Sequence, residues 1–404
     1  MAEYLVDSDY PQWRALLGPE RLPCCVVDLD ALEANLDTML RQLEDGRTIR
    51  IATKSVRVPA LLMHLLQRGA PRLQGLMTYS AHETAMLARL GFDDLLCAYP
   101  IARPDEAEVF ATLAAEGRLA VATVDDPFHL RLLGKAAAAL ETTIPVCIDL
   151  DASWRPTEGV HLGVRRSPLR SSEAVRQLAD EVAATEGLRL EGLLSYEAQV
   201  AGVPDVNRDS RLLDPVRQLV KRRSVSLVQD LRVATVQTLQ DAGHLVHVVN
   251  GGGTGSLRST SADPSITEVT AGSGFLCPST FDGYRQLNLI PASFFALAVV
   301  RTSDTDHVTC AGGGLIASGP VGANRVPQIV APPGLEPTSL EGWGEVQTPF
   351  RVNDPTMKPM IGDPVVCRHA KSGELMDHFN EVLLVRGDRI ESRAPTYRGL
   401  GGAF

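Results

Sequence analysis

Short runs of β-branched and aliphatic residues alternate with longer segments of helical period along the first two-thirds of the chain. That alternation is the pattern of βα units around a parallel sheet. After a leading run CCVVDLD (24–30) and the helical pattern ALEANLDTMLRQLE, the apolar runs are TIRIATK (48–54), LQGLMT (73–78), DDLLCAYP (93–100) and LAVATV (119–124). IPVCIDLD (144–151), LEGLLSY (190–196), HLVHVVN (244–250) and ITEVTAG (266–272) continue the series, giving eight predicted strands counted from the one that ends in Lys54. Helical segments such as PALLMHLLQRG, AHETAMLARLG and PDEAEVFATLAAEG fill most of the gaps. The first and third open with proline and all three close with glycine, as helices prefer. Eight strands with helices over about 220 residues have the size of a (β/α)8 barrel. An open doubly wound sheet stays compatible, because periodicity alone does not close a sheet.

Beyond residue 285 the rhythm changes. FFALAVVRTS, DHVTCAGGG, GEVQTPFRV, DPVVCRH and EVLLVRGDRI are short strands between Gly, Pro and Asp turns, with little helical period except near SGELMDHF. The predicted organisation is an α/β chain: a leader over residues 1–22 packing with the β domain, a TIM-like (β/α)8 barrel over 23–284, and a smaller, mostly β C-terminal domain over 285–404.

Composition narrows the function classes. The chain has 404 residues, of which 39 are Lys or Arg and 49 Asp or Glu, a net charge of −10. A chain of that sign has no sequence-independent electrostatic grip on nucleic acid or an anionic membrane. Small molecules and copies of the chain itself are the expected partners. The seven cysteines, Cys24, Cys25, Cys97, Cys147, Cys277, Cys310 and Cys367, are odd in number and contain no C-x-x-C pair. They fit free thiols in a reducing cytosol. With neither a basic, apolar leader in MAEYLVDSDYPQW nor a run of apolar residues long enough to span a bilayer, the expected location is the cytoplasm.

Active sites of (β/α)8 barrels lie at the carboxyl ends of the strands. Lys54 ends its strand in the apolar context RIATKSV, where partial desolvation would make the amine a nucleophile suited to Schiff-base chemistry; a solvated surface lysine is the alternative. VVNGGGTGS (248–256) runs from a strand into Gly251, Gly252, Gly253, Thr254, Gly255 and Ser256. Such small residues leave backbone N–H groups open to a phosphate, although a tight structural turn would use the same residues. The run lacks the final glycine of a dinucleotide fingerprint and the lysine of a P-loop, which disfavours a nucleotide-binding oxidoreductase. Its place after the seventh strand is where such barrels often bind phosphate.

A strand-end lysine and a later phosphate cradle are the two anchors of a pyridoxal phosphate enzyme. CCVVDLDALEANL, RIATKSVR, SAHETAMLARLGFDDLLCAYP, SYEAQ, NGGGTGS and TEVTAGSGF follow one another as do the landmarks of the fold-type III pyridoxal phosphate enzymes. From about residue 22 onward the chain resembles the branch of D-threonine aldolase and D-serine dehydratase, which includes bacterial amino acid deaminase/aldolase proteins. The resemblance implies that Lys54 is the Schiff-base lysine and that Gly252, Gly253, Thr254 and Gly255 hold the phosphate. Tyr196 would face the cofactor from the end of the sixth strand. Arg165, with Arg166 beside it in VHLGVRRSP, would clamp a carboxylate or the cofactor, or form a solvated loop pair. Asp149 and Asp151 end the fifth strand, and Glu83 and Tyr99 match framework positions.

Two departures from that branch stand out. Its members often carry His-x-Cys or His-x-Asp near the carboxyl terminus as a divalent metal pair, whereas CRHAKSGEL places Lys371 two residues after His369. An ammonium has no lone pair for a metal. His369 is therefore the single candidate ligand, open to a role as acid or base near the substrate hydroxyl or to recruiting Glu345 or His378. The second departure is Gly274, at or near which the family commonly has a tyrosine.

The resemblance implies a lyase acting on β-hydroxy-α-amino acids, D-configured at Cα, by retro-aldol cleavage to glycine or a small amino acid plus an aldehyde. Dehydration to a 2-oxo acid and ammonia, and racemisation, are alternatives on the same fold. A non-enzymatic pyridoxal phosphate carrier is disfavoured, because carriers of this fold stop after the barrel and this chain continues for about 120 residues. A homodimer is implied as well.

Overall fold

The structure is a computed structural model and describes residues 3–206, 211–284, 286–302 and 306–404. The leading apolar run forms β1 (Cys24–Asp28). The next eight runs form β2 (Thr48–Ala52), β3 (Leu73–Thr78), β4 (Leu95–Cys97), β5 (Ala120–Val124), β6 (Ile144–Asp149), β7 (Leu188–Ser195), β8 (Val248–Gly251) and β9 (Glu268–Ala271). These eight are all parallel to their neighbours and close into a barrel, β9 returning to β2 in the register Thr48↔Glu268 to Ile51↔Ala271. The open-sheet alternative is thereby set aside. With helices outside and packed side chains within, β5 and β6 are buried at every position. That is why they read as unbroken apolar runs instead of alternating ones. The helices start where local chemistry satisfies their free N–H groups: Ser80 caps Ala81–Arg89, Ser171 caps Ser172–Ala184, and Pro59 opens Pro59–Gly69.

One polar ladder crosses the barrel strands. Arg50 of β2 donates from Nε and Nη2 to the two carboxylate oxygens of Glu268 at 2.6 and 2.9 Å. Asn250 donates to Glu268 at 2.8 Å and accepts from Thr270 at 2.9 Å. Both members of the ion pair are buried, so removing one strands the other charge. Arg50→Met is expected to destabilise the fold by about 3–5 kcal/mol, read as a lower urea midpoint with an unchanged slope. A midpoint within error of wild type would show that the pair is not holding the barrel.

The remaining strands, β10 (Ser293–Arg301), β11 (His307–Ala311), β12 (Gln328–Ala331), β13 (Leu335–Pro337), β14 (Gln347–Val352), β15 (Pro364–Arg368), β16 (Glu381–Arg386) and β17 (Arg389–Pro395), build a second sheet. Its main path runs β13-β14-β11-β10-β1-β16-β17, with β15 on β10 and β12 on β15. β1 lies inside this sheet, antiparallel to β10 (Cys24↔Ala296) and parallel to β16 (Val26↔Leu383). Residues 24–28, grouped with the barrel in the 23–284 range, therefore belong to the second sheet by their hydrogen bonds. The reason is packing: Cys24 and Val26 join Phe294, Val366 and Leu383 in one apolar cluster, which Trp13 and Leu17 of the helix Tyr10–Leu17 complete. Residue 285, where the second domain is expected to begin, lies outside the described residues. Among those described, no helix is long and apolar enough to cross a membrane.

Candidate functional site

The carboxyl ends of the barrel strands open into a cavity of about 860 Å³, and its far wall comes from the second domain. Lys54 sits in a single helical turn, Thr53–Ser55, directly after β2. Its side chain is exposed to the cavity, and Nζ donates to Tyr99 Oη at 3.0 Å. Burial would raise the Tyr99 phenol, but the Lys54 ammonium and the Arg166 guanidinium favour its anion and hold it below the usual tyrosine value. Tyr99 thus belongs to the site itself and not only to its framework.

Arg166 stands between two rings, 5.2 Å from the centroid of Tyr99 and 5.4 Å from that of Tyr196. Tyr196 follows β7 and lines the cavity, its phenol pushed up to about 12 by burial and by neighbouring Glu197. Arg165, the expected clamp, is not on this wall; it lines a separate surface recess with Arg155 and Glu158. Adjacent residues of an extended loop project to opposite sides, so the cation at the site is Arg166.

Asp149 and Asp151 both line the cavity but differ in their partners. The Asp151 carboxylate accepts from Ser153 N and Oγ at 2.9 Å each and from Arg155 at 3.2 Å, fastening the loop that carries the arginines. Asp149 faces the cavity, and burial together with the neighbouring Asp125 pushes its carboxyl up to about 8. An unfolded aspartate loses its proton near pH 3.9, about four units lower. Between those values the unfolded chain alone is deprotonated at this position. Stability therefore falls as pH rises from about 4 to about 8 and levels off above. Asp149→Asn removes this dependence, so its melting temperature gains on wild type between about pH 5 and about pH 8. Parallel melting curves at both pH values would contradict the buried, protonated Asp149. Glu83, also raised by burial to about 7, lies off the cavity wall with Oε2 accepting from Tyr79 N at 2.6 Å.

The glycine run turns at Gly252, whose φ of +80° is left-handed and where a Cβ would come within 2.7 Å of Val269 Cγ1. At Gly253 a Cβ would meet Ala201 Cβ at 3.0 Å and the Tyr196 ring at 3.5 Å. Gly252, Gly253 and Thr254 line the cavity, while Gly255 lies behind them against the Ala201 carbonyl and the Tyr284 ring. The loop is held from beneath by Glu197. That buried carboxylate accepts from Gly252 N and Ser256 Oγ at 3.0 Å each, from Thr260 Oγ1, and from Arg232 in an ion pair; Arg232 also reaches Ser195 O at 2.6 Å. Burial opposes the Glu197 charge, but Arg232 and these donors keep its carboxyl below the usual value.

Gly274 has no room for a side chain, because a Cβ there would lie 2.6 Å from both Met39 Sδ and Thr254 Cγ2. The residue beside it, Ser273, lines the cavity with its Oγ 3.0 Å from Ser55 Oγ. A phenol reaches the glycine loop from elsewhere: Tyr284, stacked on Phe281 at 4.8 Å, donates to Ala201 O at 3.1 Å.

The second domain closes the site through the short helix Ser372–Met376. Ser372 Oγ donates to Ser55 O at 3.0 Å, and Gly373 packs so tightly on the Lys54 carbonyl that a Cβ would stand 1.8 Å from it. Lys371, one residue before, lines the cavity and donates to Ser318 Oγ at 2.7 Å. His369 does not line it. Its ring is buried, with Nδ1 2.9 Å from the Lys371 amide nitrogen and 2.6 Å from the Lys371 carbonyl, so it braces the turn that presents Lys371. For the expected role of His369 as acid, base or metal ligand the structure offers no cavity-facing contact among the described residues, and its Nε2 is buried without a hydrogen-bond partner. Glu345 and His378 are exposed and off the cavity wall. Among the described residues, no group of three or more His, Cys, Asp or Glu is placed to hold a metal ion. His369 and Lys371 do not fit one.

Sequence reasoning missed Glu197, Arg232 and Arg325, the last of which lines the cavity from the second domain. Glu197 directly follows Tyr196 and was open to the same strand-end logic; Arg232 sits in the 28-residue helix Asp214–Asp241, whose polar composition gives no sign of a buried arginine.

Residues 27–252 match the family model of the alanine racemase N-terminal domain. A 3-hydroxy-D-aspartate aldolase of Paracoccus denitrificans (strain Pd 1222) is 24% identical over 271 residues, which is 67% of this chain and 64% of that relative's length. The crystal structure of D-threonine aldolase from Filomicrobium marinum superposes with a TM-score of 0.78 at 21% identity, covering 95% of this chain and 97% of the other. That of D-threo-3-hydroxyaspartate dehydratase from Delftia sp. HT23 gives 0.73 at 16%, covering 94% and 98%. The barrel, the strand-end lysine and the glycine turn thus stand in a known architecture: the chain belongs to the alanine racemase N-terminal domain family.

Proposed function

We propose that this protein is a pyridoxal phosphate-dependent lyase that cleaves β-hydroxy-α-amino acids of D configuration by a retro-aldol reaction. The observation that carries the reading is one cavity with the Lys54 amine at the end of β2 and a side-chain-free glycine turn at the end of β8. The curated relative and the structural neighbours named above support the substrate class. Gly252, Gly253 and Thr254 would hold the phosphate, Lys54 would carry the aldehyde carbon, and Tyr196 and Arg166 would flank the ring. The space a Cβ would fill at Gly252 and Gly253 fits such a cradle.

When bound, the cofactor supplies an electron sink for the pair of electrons left at Cα. The chain supplies position and protons. Tyr99 Oη accepts a hydrogen bond from the Lys54 amine and fixes it at the end of β2. Asp149 stays neutral to about pH 8 and offers an O–H donor at the cavity wall. Arg166 holds positive charge against both tyrosine rings. The helix Ser372–Met376, seated on Lys54, covers the site from the second domain. The same reading has the protein working as a homodimer in the cytoplasm, in keeping with seven free cysteines that are all buried.

The test is a product assay. Cofactor-loaded protein is given D and L β-hydroxy-α-amino acids, and glycine plus aldehyde, 2-oxo acid plus ammonia, and the opposite enantiomer are measured. Glycine plus aldehyde from the D substrates is expected. Predominant 2-oxo acid would replace cleavage by dehydration, and the enantiomer alone would make the protein a racemase.

A further inference from the structure

We infer that the second domain's wall of the cavity is an anion subsite, built by Lys371 and Arg325, and that the substrate's side chain ends in a carboxylate. This rests on the lyase reading above and names its substrate class. Lys371 and Arg325 line the cavity together with Ser318, Asn324 and Gln328. Docking of Ser372 on Ser55 and of Gly373 on the Lys54 carbonyl sets Lys371 beside the turn that carries the Lys54 amine. Close approach of Glu374, Arg325 and Lys54 is felt electrostatically at Lys371.

The charges on this wall do not cancel. Among the described residues, Glu374 is the carboxylate that pairs with Lys371. Its Oε2 is 3.9 Å from Lys371 Nζ, and its two oxygens already accept from Ser318 N at 2.8 Å and Ser318 Oγ at 2.9 Å. Arg325 makes no ion pair among the described residues, and its buried Nε has no hydrogen-bond partner. Its guanidinium packs on Gly319, where a Cβ would lie 3.1 Å from Cζ. A buried guanidinium donor without an acceptor is costly, and a planar fork suits a carboxylate. The other cations are already committed: Arg57 pairs with Asp377 and donates to the Lys54 carbonyl, Arg368 pairs with Asp282, and Arg166 lies between Tyr99 and Tyr196. A phosphate at the glycine turn lies on the barrel side of the cavity, away from Lys371 and Arg325 on the second domain's wall. A carboxylate at the far end of a β-hydroxy amino acid whose amino group is at Lys54 satisfies both.

Two measurements on the full chain test this. In the first, cofactor-loaded wild type, Lys371→Met and Arg325→Gln are assayed with 3-hydroxy-D-aspartate and with D-threonine. Each substitution is expected to lower the ratio of kcat/KM for the acidic over the neutral substrate by at least about tenfold, as loss of a charge-assisted hydrogen bond does, with the change mainly in KM. An unchanged ratio, including equal losses on both substrates, overturns the subsite, since equal losses would place the α-carboxylate there. In the second, calorimetry follows binding of succinate and of butyrate. Wild type is expected to bind succinate more tightly, in a salt-sensitive way, and the double variant to lose that preference. Equal binding of the two acids by wild type, or preference kept by the double variant, overturns the proposal. Charge-selective binding without turnover of any β-hydroxy amino acid supports the subsite and sinks the lyase reading instead.

Discussion

Lys54→Ala is expected to leave a folded protein with turnover reduced by at least about 10²–10⁴-fold, the range for loss of a positioned proton-transfer group. The fold should survive. Lys54 is exposed, its side chain makes a single hydrogen bond among the described residues, to Tyr99, and the contacts that seat the second domain use the Lys54 and Ser55 carbonyls, which alanine keeps. Activity should be lost without a matching fall in melting temperature, and Lys54→Arg, which keeps the charge but not a deprotonatable amine, should not restore it. A Lys54→Ala protein that turns over any β-hydroxy amino acid at the wild-type rate would remove this lysine from the mechanism.

The second large effect is expected at Arg232. This buried guanidinium joins the long helix Asp214–Asp241 to the Glu197 carboxylate and the Ser195 carbonyl, and Glu197 in turn holds Gly252 N, Ser256 and Thr260. Arg232→Met strands a buried carboxylate, at a cost of about 3–5 kcal/mol. The damage should extend to function: with Glu197 unpaired, the glycine turn loses its support from beneath and pyridoxal phosphate should bind more weakly, measured by equilibrium dialysis. Glu197→Gln breaks the ion pair from the other side and should cost less, because an amide oxygen can still accept from Gly252 N. Equal urea midpoints and equal cofactor affinity for wild type and Arg232→Met would show that the network is incidental to the loop.

Much of the barrel was legible because a parallel strand covered on both faces is a short, unbroken apolar run, and all eight such runs from 48–54 onward lie in its wall. The same property misleads at CCVVD: an apolar run carries no mark of which sheet it joins, and β1 is claimed by β10 and β16. Strand-end logic pointed to Lys54, Tyr196 and the glycine run, since those positions follow from chain order. It did not separate Arg165 from Arg166, because which neighbour faces inward is decided by loop conformation. His369 drew attention through its spacing to Lys371. In the folded chain it braces the turn while Lys371 reaches the cavity, a division of labour fixed by how the helix Ser372–Met376 docks on Lys54. Arg325 was invisible for the same reason, since its place on the cavity wall and the lack of a hydrogen-bond partner at its Nε among the described residues arise only in the folded chain.

The central claim is that the cavity at the end of β2 is a pyridoxal phosphate site with Lys54 as its attachment point. Reducing the cofactor-loaded protein with borohydride and mapping the modified peptide by mass spectrometry tests it directly. The account predicts one phosphopyridoxyl group per chain, on Lys54, and none on Lys371. A modified peptide elsewhere, or no covalent adduct at saturating cofactor, would contradict it.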